Sequence, residues 1–268
     1  MSSSKYNKLA GKHIVVIGGS SGIGRGVVEA SLEAGAARVT LVGSSARSAS
    51  AALSTLTAAG WASNRLGSLH CDLSQDSVEQ DLDAVLTAAA TTTTTTNTKH
   101  PIDHIVLTAA DSLTISGLAD LSLAQIRQAA HLRLNVPLIL GKLAPRHLPR
   151  SNEASLTITT GSVADKPALG WSLIAYFAAG LQGLARNLAL DLAPIRANAV
   201  EPGYVDTALW NAAMTAEQKE AAFAGLAGRL PTGRVAAVED VAEAYLYLMK
   251  DRSATGEVVK SRSGDHLV

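Results

Sequence analysis

Three glycines near the start of the chain have the spacing needed to hold a pyrophosphate. They lie in Ile17-Gly18-Gly19-Ser20-Ser21-Gly22-Ile23-Gly24-Arg25, directly after an apolar run. Gly18 permits a tight turn, Gly22 lets backbone N–H groups approach phosphate, and Gly24 lets the next helix lie close to the strand. Ser20, Ser21 and Ile23 complete the loop, and the positive end of the helix would face the anion. A second set follows the next apolar run, as Gly43-Ser44-Ser45-Ala46-Arg47, and no Asp or Glu occurs between Glu33 and Asp72. A carboxylate there would bond a ribose 2′-hydroxyl. Two hydroxyls and a guanidinium suit a 2′-phosphate instead, with Arg25 a second donor. The expected cofactor is therefore NADPH/NADP+, unless Arg47 is an ordinary surface arginine.

These loops must be positioned by strands and helices in alternation. His13–Gly18, Arg38–Val42, Ser68–Cys71, His104–Leu107, Leu156–Thr160 and Arg196–Val200 read as six short strands. Gly24–Ala34, Ser44–Ala59, Val78–Ala90, Leu123–Leu143 and Ser172–Leu192 read as helices between them. Such alternation predicts an α/β, single-domain Rossmann fold over residues 1–268, a doubly wound parallel sheet with helices on both faces. Thr91–Thr96 and the residues to 100 read as a solvated loop insert.

Bulk properties exclude several classes. Lys plus Arg and Asp plus Glu both total 23, so nothing supports a nucleic-acid partner. No apolar leader opens the sequence, and the most apolar stretch, Trp171–Val200, is interrupted by Gln182, Arg186, Asn187, Asp191 and Arg196. A cytoplasmic protein with no membrane span is expected. Cys71 is the one cysteine, which suits a reducing compartment and reads as a packed strand-end thiol.

The glycine segment resembles the Thr-Gly-x-x-x-Gly-Ile-Gly signature of short-chain dehydrogenases/reductases, with Ile17 in place of the usual Thr. The resemblance covers nearly the whole chain. Asp72 matches the residue that contacts adenine, although a helix N-cap is a rival reading. Leu107-Thr108-Ala109-Ala110-Asp111 falls where Asn-Asn-Ala-Gly is usual, so Ala109 is implied to border the cofactor. Asn135 and Ser162 fall at the active-site Asn and Ser. Arg196-Ala197-Asn198-Ala199-Val200-Glu201-Pro202-Gly203 matches the sixth strand and its turn, with Val205 and Thr207 at nicotinamide-contacting positions. Glu239-Asp240-Val241-Ala242 and Thr255-Gly256 match C-terminal elements.

One family element is missing. The catalytic pair is Tyr-x-x-x-Lys, and alignment on Ala179-Gly180-Leu181 puts Ile174 and Ala178 at those positions. The tyrosines are Tyr6, Tyr176, Tyr204, Tyr245 and Tyr247; four residues on stand Ala10, Gly180, Ala208, Met249 and Asp251. No such pair exists in any frame. Tyr176 is two residues out of phase and should face away from substrate. The family's proton donor and its lysine partner are thus absent, which argues against reduction of simple ketones.

Hydride transfer to a C=N⁺ group needs no proton donor, only an anion to steady the cation. Asp165, three residues past Ser162, is the expected anion, with Asp111 a second acid and Arg133 a contact to cofactor or substrate. Pro167, Leu169, Trp171, Trp210 and Met214 either line a pocket for a hydrophobic polycyclic substrate or serve the core. Among relatives lacking the pair, the chain is most similar to the fungal NADPH-dependent reductase/Diels–Alderases of bridged diazaoctane indole alkaloids (malbrancheamide-type). That resemblance implies reduction of a cyclic iminium of a hydrophobic alkaloid, then guidance of an intramolecular cycloaddition. The alternative is a catalytically silent NADP(H)-binding relative. The apolar segment Ala175–Ala193 and the family habit together imply a homodimer or homotetramer.

Overall fold

The first strand, β1 (His13–Ile17), is buried along its whole length, as are β2 (Arg38–Gly43) and β4 (His104–Leu107). Strands covered on both faces can afford no polar alternation, and their Val/Ile/Leu runs show it. With β3 (Leu66–His70), β5 (Ser155–Thr159), β6 (Arg196–Pro202) and β7 (Val258–Ser261) they form one sheet of order β3-β2-β1-β4-β5-β6-β7. Every pairing in it is parallel. The computed structural model describes residues 5–91, 101–212 and 214–268, with the Ala212 side chain left aside. The threonine-rich insert beyond Thr91 lies outside the described residues.

Helices cover both faces. One face carries α1 (Gly22–Glu33), α2 (Ala46–Ala58) and α8 (Val238–Lys250), whose Val27, Leu32, Leu56 and Tyr245 join Ile14, Val16 and Leu41 in one core. The other carries α3 (Val78–Thr91), α5 (Val136–His147) and α6 (Ser172–Asp191), whose Leu82, Leu140 and Leu181 join Val15, Ile105 and Leu156 in a second. By length and composition α6 is apolar enough to cross a membrane, but here Leu181, Ala185 and Leu188 pack against the sheet. Two shorter helices, α4 (Leu123–Ala130) and α7 (Ala216–Ala227), complete the set.

The structure departs from the sequence reading in three places. The seventh strand, β7, was not anticipated, because it is four residues long and only partly covered at the sheet edge. Helices α7 and α8 were likewise not read out. The helix expected over Leu123–Leu143 is two helices joined by a π-helical turn at His131–Asn135. Pro137 explains the break: it has no N–H to donate to the carbonyl of Arg133, so the turn there widens.

Strand order reverses between β1 and its two neighbours, β2 and β4. In such sheets a crevice opens beyond the C-terminal strand ends at that point. The candidate site lies there.

Candidate active site

Two adjoining cavities occupy the crevice and share part of their lining. The first is bordered by Gly18, Ser20, Ser21, Gly22, Ile23, Gly24, Ser44, Asp72, Ala109 and Thr207. The close fit of this loop is measurable. A Cβ on Gly24 would stand 2.2 Å from the Gly18 carbonyl oxygen, and one on Gly18 would stand 2.5 Å from the Ala109 nitrogen. Gly18 (φ +92°) and Gly22 (φ +51°) also hold left-handed backbone.

The end of α1 fits an anion for a further reason. At α2, α4 and α7 the first-turn amides are capped by Ser45, Ser122 and Thr215. Ser21, at the same position of α1, makes no side-chain cap. The free amides of that turn border the cavity, as a phosphate would require. Asp72 is exposed and accepts bonds from the backbone and hydroxyl of Ser74 and from Gln75. Those bonds hold its carboxyl below its usual range. It braces a turn at the cavity edge rather than capping α3, which begins at Val78. Cys71 borders the same cavity, and burial pushes its thiol up to about 11, so it is inert at neutral pH.

Six expected cofactor residues do not border this cavity: Pro202, Gly203 and Val205 line the second one instead, and Ser45, Arg25 and Arg47 line neither. The Ser45 hydroxyl is engaged in the α2 cap, where it accepts from Ser48 N. Arg25 lies 3.6 Å from Glu29 on the exposed side of α1. Arg47 is exposed in the first turn of α2, a short way past Ser44. Both guanidiniums are in reach of solvent and neither is locked in the interior.

The second cavity is mostly apolar. Ile174 and Ala178 line it, both buried and packed with Val163. Thr160 donates to the Ala178 carbonyl at 2.7 Å, fixing this turn of α6 beside β5. Arg133, Ser162, Pro167, Trp171 and Trp210 also line it, as do Pro202, Gly203 and Val205, which were expected at the cofactor. Tyr176 is 65% exposed and absent from the wall, while the neighbouring Phe177 takes its place there. Trp210 anchors one side. Its indole N–H donates to the Val205 carbonyl at 3.0 Å, and its ring meets Tyr204, Trp171 and Phe223. Phe223 belongs to α7, which has no buried residue of its own and is held by this contact and by Lys219 on Asp206.

Five expectations for this cavity are corrected. Asp165 does not line it. Its carboxylate is paired with Lys260 and with Arg262 at 3.1 Å, and accepts from Gln182 at 3.3 Å. The Lys260 bond foremost holds the carboxyl at about 2. An anion already shared by two cations has little field left for a third. Asp111 is likewise outside the wall, clamped to Arg133 at 2.6 Å, and it is Arg133 that reaches the cavity. Asn135 is exposed at the end of the π turn and is not part of the wall. Leu169 is fully exposed, at the tip of the loop before Gly170, whose left-handed φ of +78° turns the chain. Met214 is half-buried behind Trp210, whose carbonyl accepts its backbone N–H, and is not part of the wall.

Sequence reasoning missed Tyr204, Phe177, Lys166 and Asp265, all of which line the cavity. Tyr204 follows Pro202-Gly203 and was within reach of the sequence. Asp265 was not: it meets Lys166 across 99 positions of chain.

The strand order, the glycine cradle and the crevice at the reversal point define a dinucleotide-binding α/β protein. The chain belongs to the short-chain dehydrogenase/reductase family, since the SDR-like Rossmann domain matches residues 5–268. It is 38% identical over 263 residues to the short-chain dehydrogenase/reductase fsr5 of Gibberella fujikuroi, covering 97% of each chain. It is 37% identical over 262 residues to the short-chain dehydrogenase/reductase malC of Malbranchea aurantiaca, covering 96% of this chain and 95% of that one. The solved structure of the MalC reductase/Diels–Alderase superposes with a TM-score of 0.90 at 36% identity, covering 99% of this chain and 100% of that one.

Proposed function

We propose that this protein is an NADPH-dependent reductase of a cyclic iminium carried by a hydrophobic aromatic alkaloid, and that it then holds the product for an intramolecular cycloaddition. The observation that carries this reading is the wall at Ile174 and Ala178. Where the family's proton donor and its lysine belong, the cavity presents only hydrocarbon.

NADPH, when bound, supplies a hydride. The accepting carbon of a C=N⁺ takes that hydride with both electrons, and the nitrogen lone pair is restored. The product is a neutral amine, so no proton has to be delivered. The chain's own part is then to bind and to orient. The α1 amides and the Gly18–Gly24 loop would hold its pyrophosphate. Pro202, Gly203 and Val205 border the substrate cavity, and Thr207 borders both cavities. Trp171, Tyr204, Trp210 and Phe177 exclude water and present ring faces to an aromatic substrate. A chamber of fixed shape favours a ring-closing conformer by restricting its geometry, with no acid or base required. The MalC relative, named as reductase and Diels–Alderase, supports both steps.

Loss of dihydronicotinamide absorbance with an N-alkyl dihydro-β-carbolinium salt tests the reading, with a ketone of the same skeleton as comparison. Turnover of the salt with none of the ketone is expected. If no cyclic iminium is reduced above the buffer rate while NADPH still binds, the protein is a silent NADP(H)-binding relative. A homodimer or homotetramer is also proposed, and the exposed Tyr176 and Leu190 of α6 are consistent with a covered face.

A further inference from the structure

Charge is scarce in the substrate cavity. Among the described residues that line it, Arg133, Lys166 and Asp265 alone belong to the Lys, Arg, Asp and Glu types. Arg133 is held by the Asp111 carboxylate at 2.6 Å and the Asp111 carbonyl at 2.8 Å. Lys166 directs its ammonium at three acceptors: the Asp265 carbonyl at 2.6 Å, a main-chain oxygen of Val268 at 2.5 Å and Asp265 Oδ1 at 2.9 Å. Its donors are used up. Asp265 differs. It is 4% exposed, it is the one carboxylate lining the cavity among the described residues, and its Oδ2 takes no bond from any of them.

The backbone fixes the direction of this side chain. Ser263 (φ +53°) and Gly264 (φ +78°) are consecutive left-handed residues immediately before it. A Cβ on Gly264 would stand 2.6 Å from Pro231, so the turn is seated against its neighbour. Upstream, Arg262 is tied to the buried Glu201 at 2.6 Å and to Asp165 at 3.1 Å. Asp165, expected to act directly, thus anchors with Lys260 and Arg262 the segment that carries Asp265. Along the same cavity run Trp171, Trp210 and Tyr204, with ring centroids 6.5 and 5.9 Å apart. Ring faces together with one carboxylate oxygen are the chemistry that holds a delocalised organic cation.

We propose that Asp265 is the substrate-facing counter-ion, and that the cavity selects a nitrogen cation fused to an aromatic system over its neutral isostere. This deepens the iminium reading and rests on it. The Lys166 ammonium sits at Oδ1 and opposes part of the pull on a cation at Oδ2. A counter-ion and a mere structural latch therefore predict different results. If the pair only latches the segment, loss of either partner loosens the wall and weakens every ligand alike. If Asp265 faces the cation, the two losses act in opposite directions.

The test is calorimetric titration of the NADP⁺-saturated protein with N2-methyl-β-carbolinium and with its neutral isostere 2-methylcarbazole. In Asp265→Asn, whose amide oxygen still accepts from Lys166, the preference for the cation should fall about tenfold, with carbazole binding little changed. In Lys166→Met the same preference should rise by a few fold, since an opposing charge is gone. Parallel loss of both ligands in both variants overturns the proposal, as does an unchanged preference in Asp265→Asn. Should that variant fail to fold, Lys166→Met decides alone: a raised preference supports the assignment and a lowered or unchanged one overturns it. Cation binding that follows this pattern without any NADPH oxidation would sink the reductase reading and leave the counter-ion in place.

Discussion

The two cavities of this crevice were built by different means, and they differ in what substitution can do to them. The cofactor cavity is made of backbone: left-handed glycines, uncapped amides and glycines packed so closely that an added Cβ would stand 2.2 to 2.5 Å from its neighbours. The substrate cavity is made of side chains on α6, on the loops after β4, β5 and β6, and on the C-terminal segment. Backbone sites have few solutions and survive intact. A side-chain wall can exchange a phenol and an amine for Ile174 and Ala178 without moving a strand, and the reaction class moves with it. On the proposed reading, a nucleotide half built from backbone beside a wall without the acid pair would let one fold keep its hydride source while changing its acceptor.

This contrast can be broken most forcefully at Gly24. Gly24→Val would put carbon against the Gly18 carbonyl and the Thr108 hydroxyl, at distances no packing tolerates. Loss of NADPH affinity by about a hundredfold or more, or outright misfolding, is expected in a fluorescence titration. Retained affinity would show that the cradle is softer than drawn. Arg47→Ala tests the side-chain part of the same half. NADPH should weaken about tenfold more than NADH, because only the former carries the 2′-phosphate. Equal weakening removes Arg47 from that role.

Smaller effects belong to the anchoring network. Asp165 is held at about 2, below the ordinary carboxylate value of 3.8, chiefly by Lys260. A depressed folded-state value means that its stabilisation is full above about pH 4 and is lost as pH falls towards 2. Because a third of the side chain is exposed, Asp165→Asn should cost only about 1 kcal/mol or less at neutral pH, read by denaturant melts. The acid limb of the wild-type stability curve should flatten in that variant. A change in turnover much larger than its change in stability would return Asp165 to the chemistry. Least of all is expected from Tyr176→Phe, which should leave iminium turnover within about twofold, since the ring faces away from the wall.

Five strands were legible from their apolar runs because each lies inside the sheet with both faces covered, whereas the edge strand β3 (Leu66–His70), half covered, was read as Ser68–Cys71. Strand β7 was not, since Val258–Ser261 is short and only half covered at the edge. The glycine cradle was legible for a similar reason: few residue types tolerate its backbone. The side-chain wall was read unevenly. Trp171 and Trp210 announced themselves by size, and the missing pair by counting tyrosines. Asp165 misled because sequence position fixes a loop residue's neighbourhood but not the direction of its side chain, and its partners Lys260 and Arg262 lie far along the chain. Asp265 was invisible for the mirror-image reason, its meaning arising from a fold-back onto Lys166.

Ile23, Thr108, Ala110, Thr207 and Leu209 belong to both cavities at once. No partition separates the two cavities, so whatever fills one is part of the other's container. An oily molecule arriving first would meet a half-built room, open on the side where a ring should be. Steady-state kinetics ought therefore to show compulsory order, with the dinucleotide on first and off last.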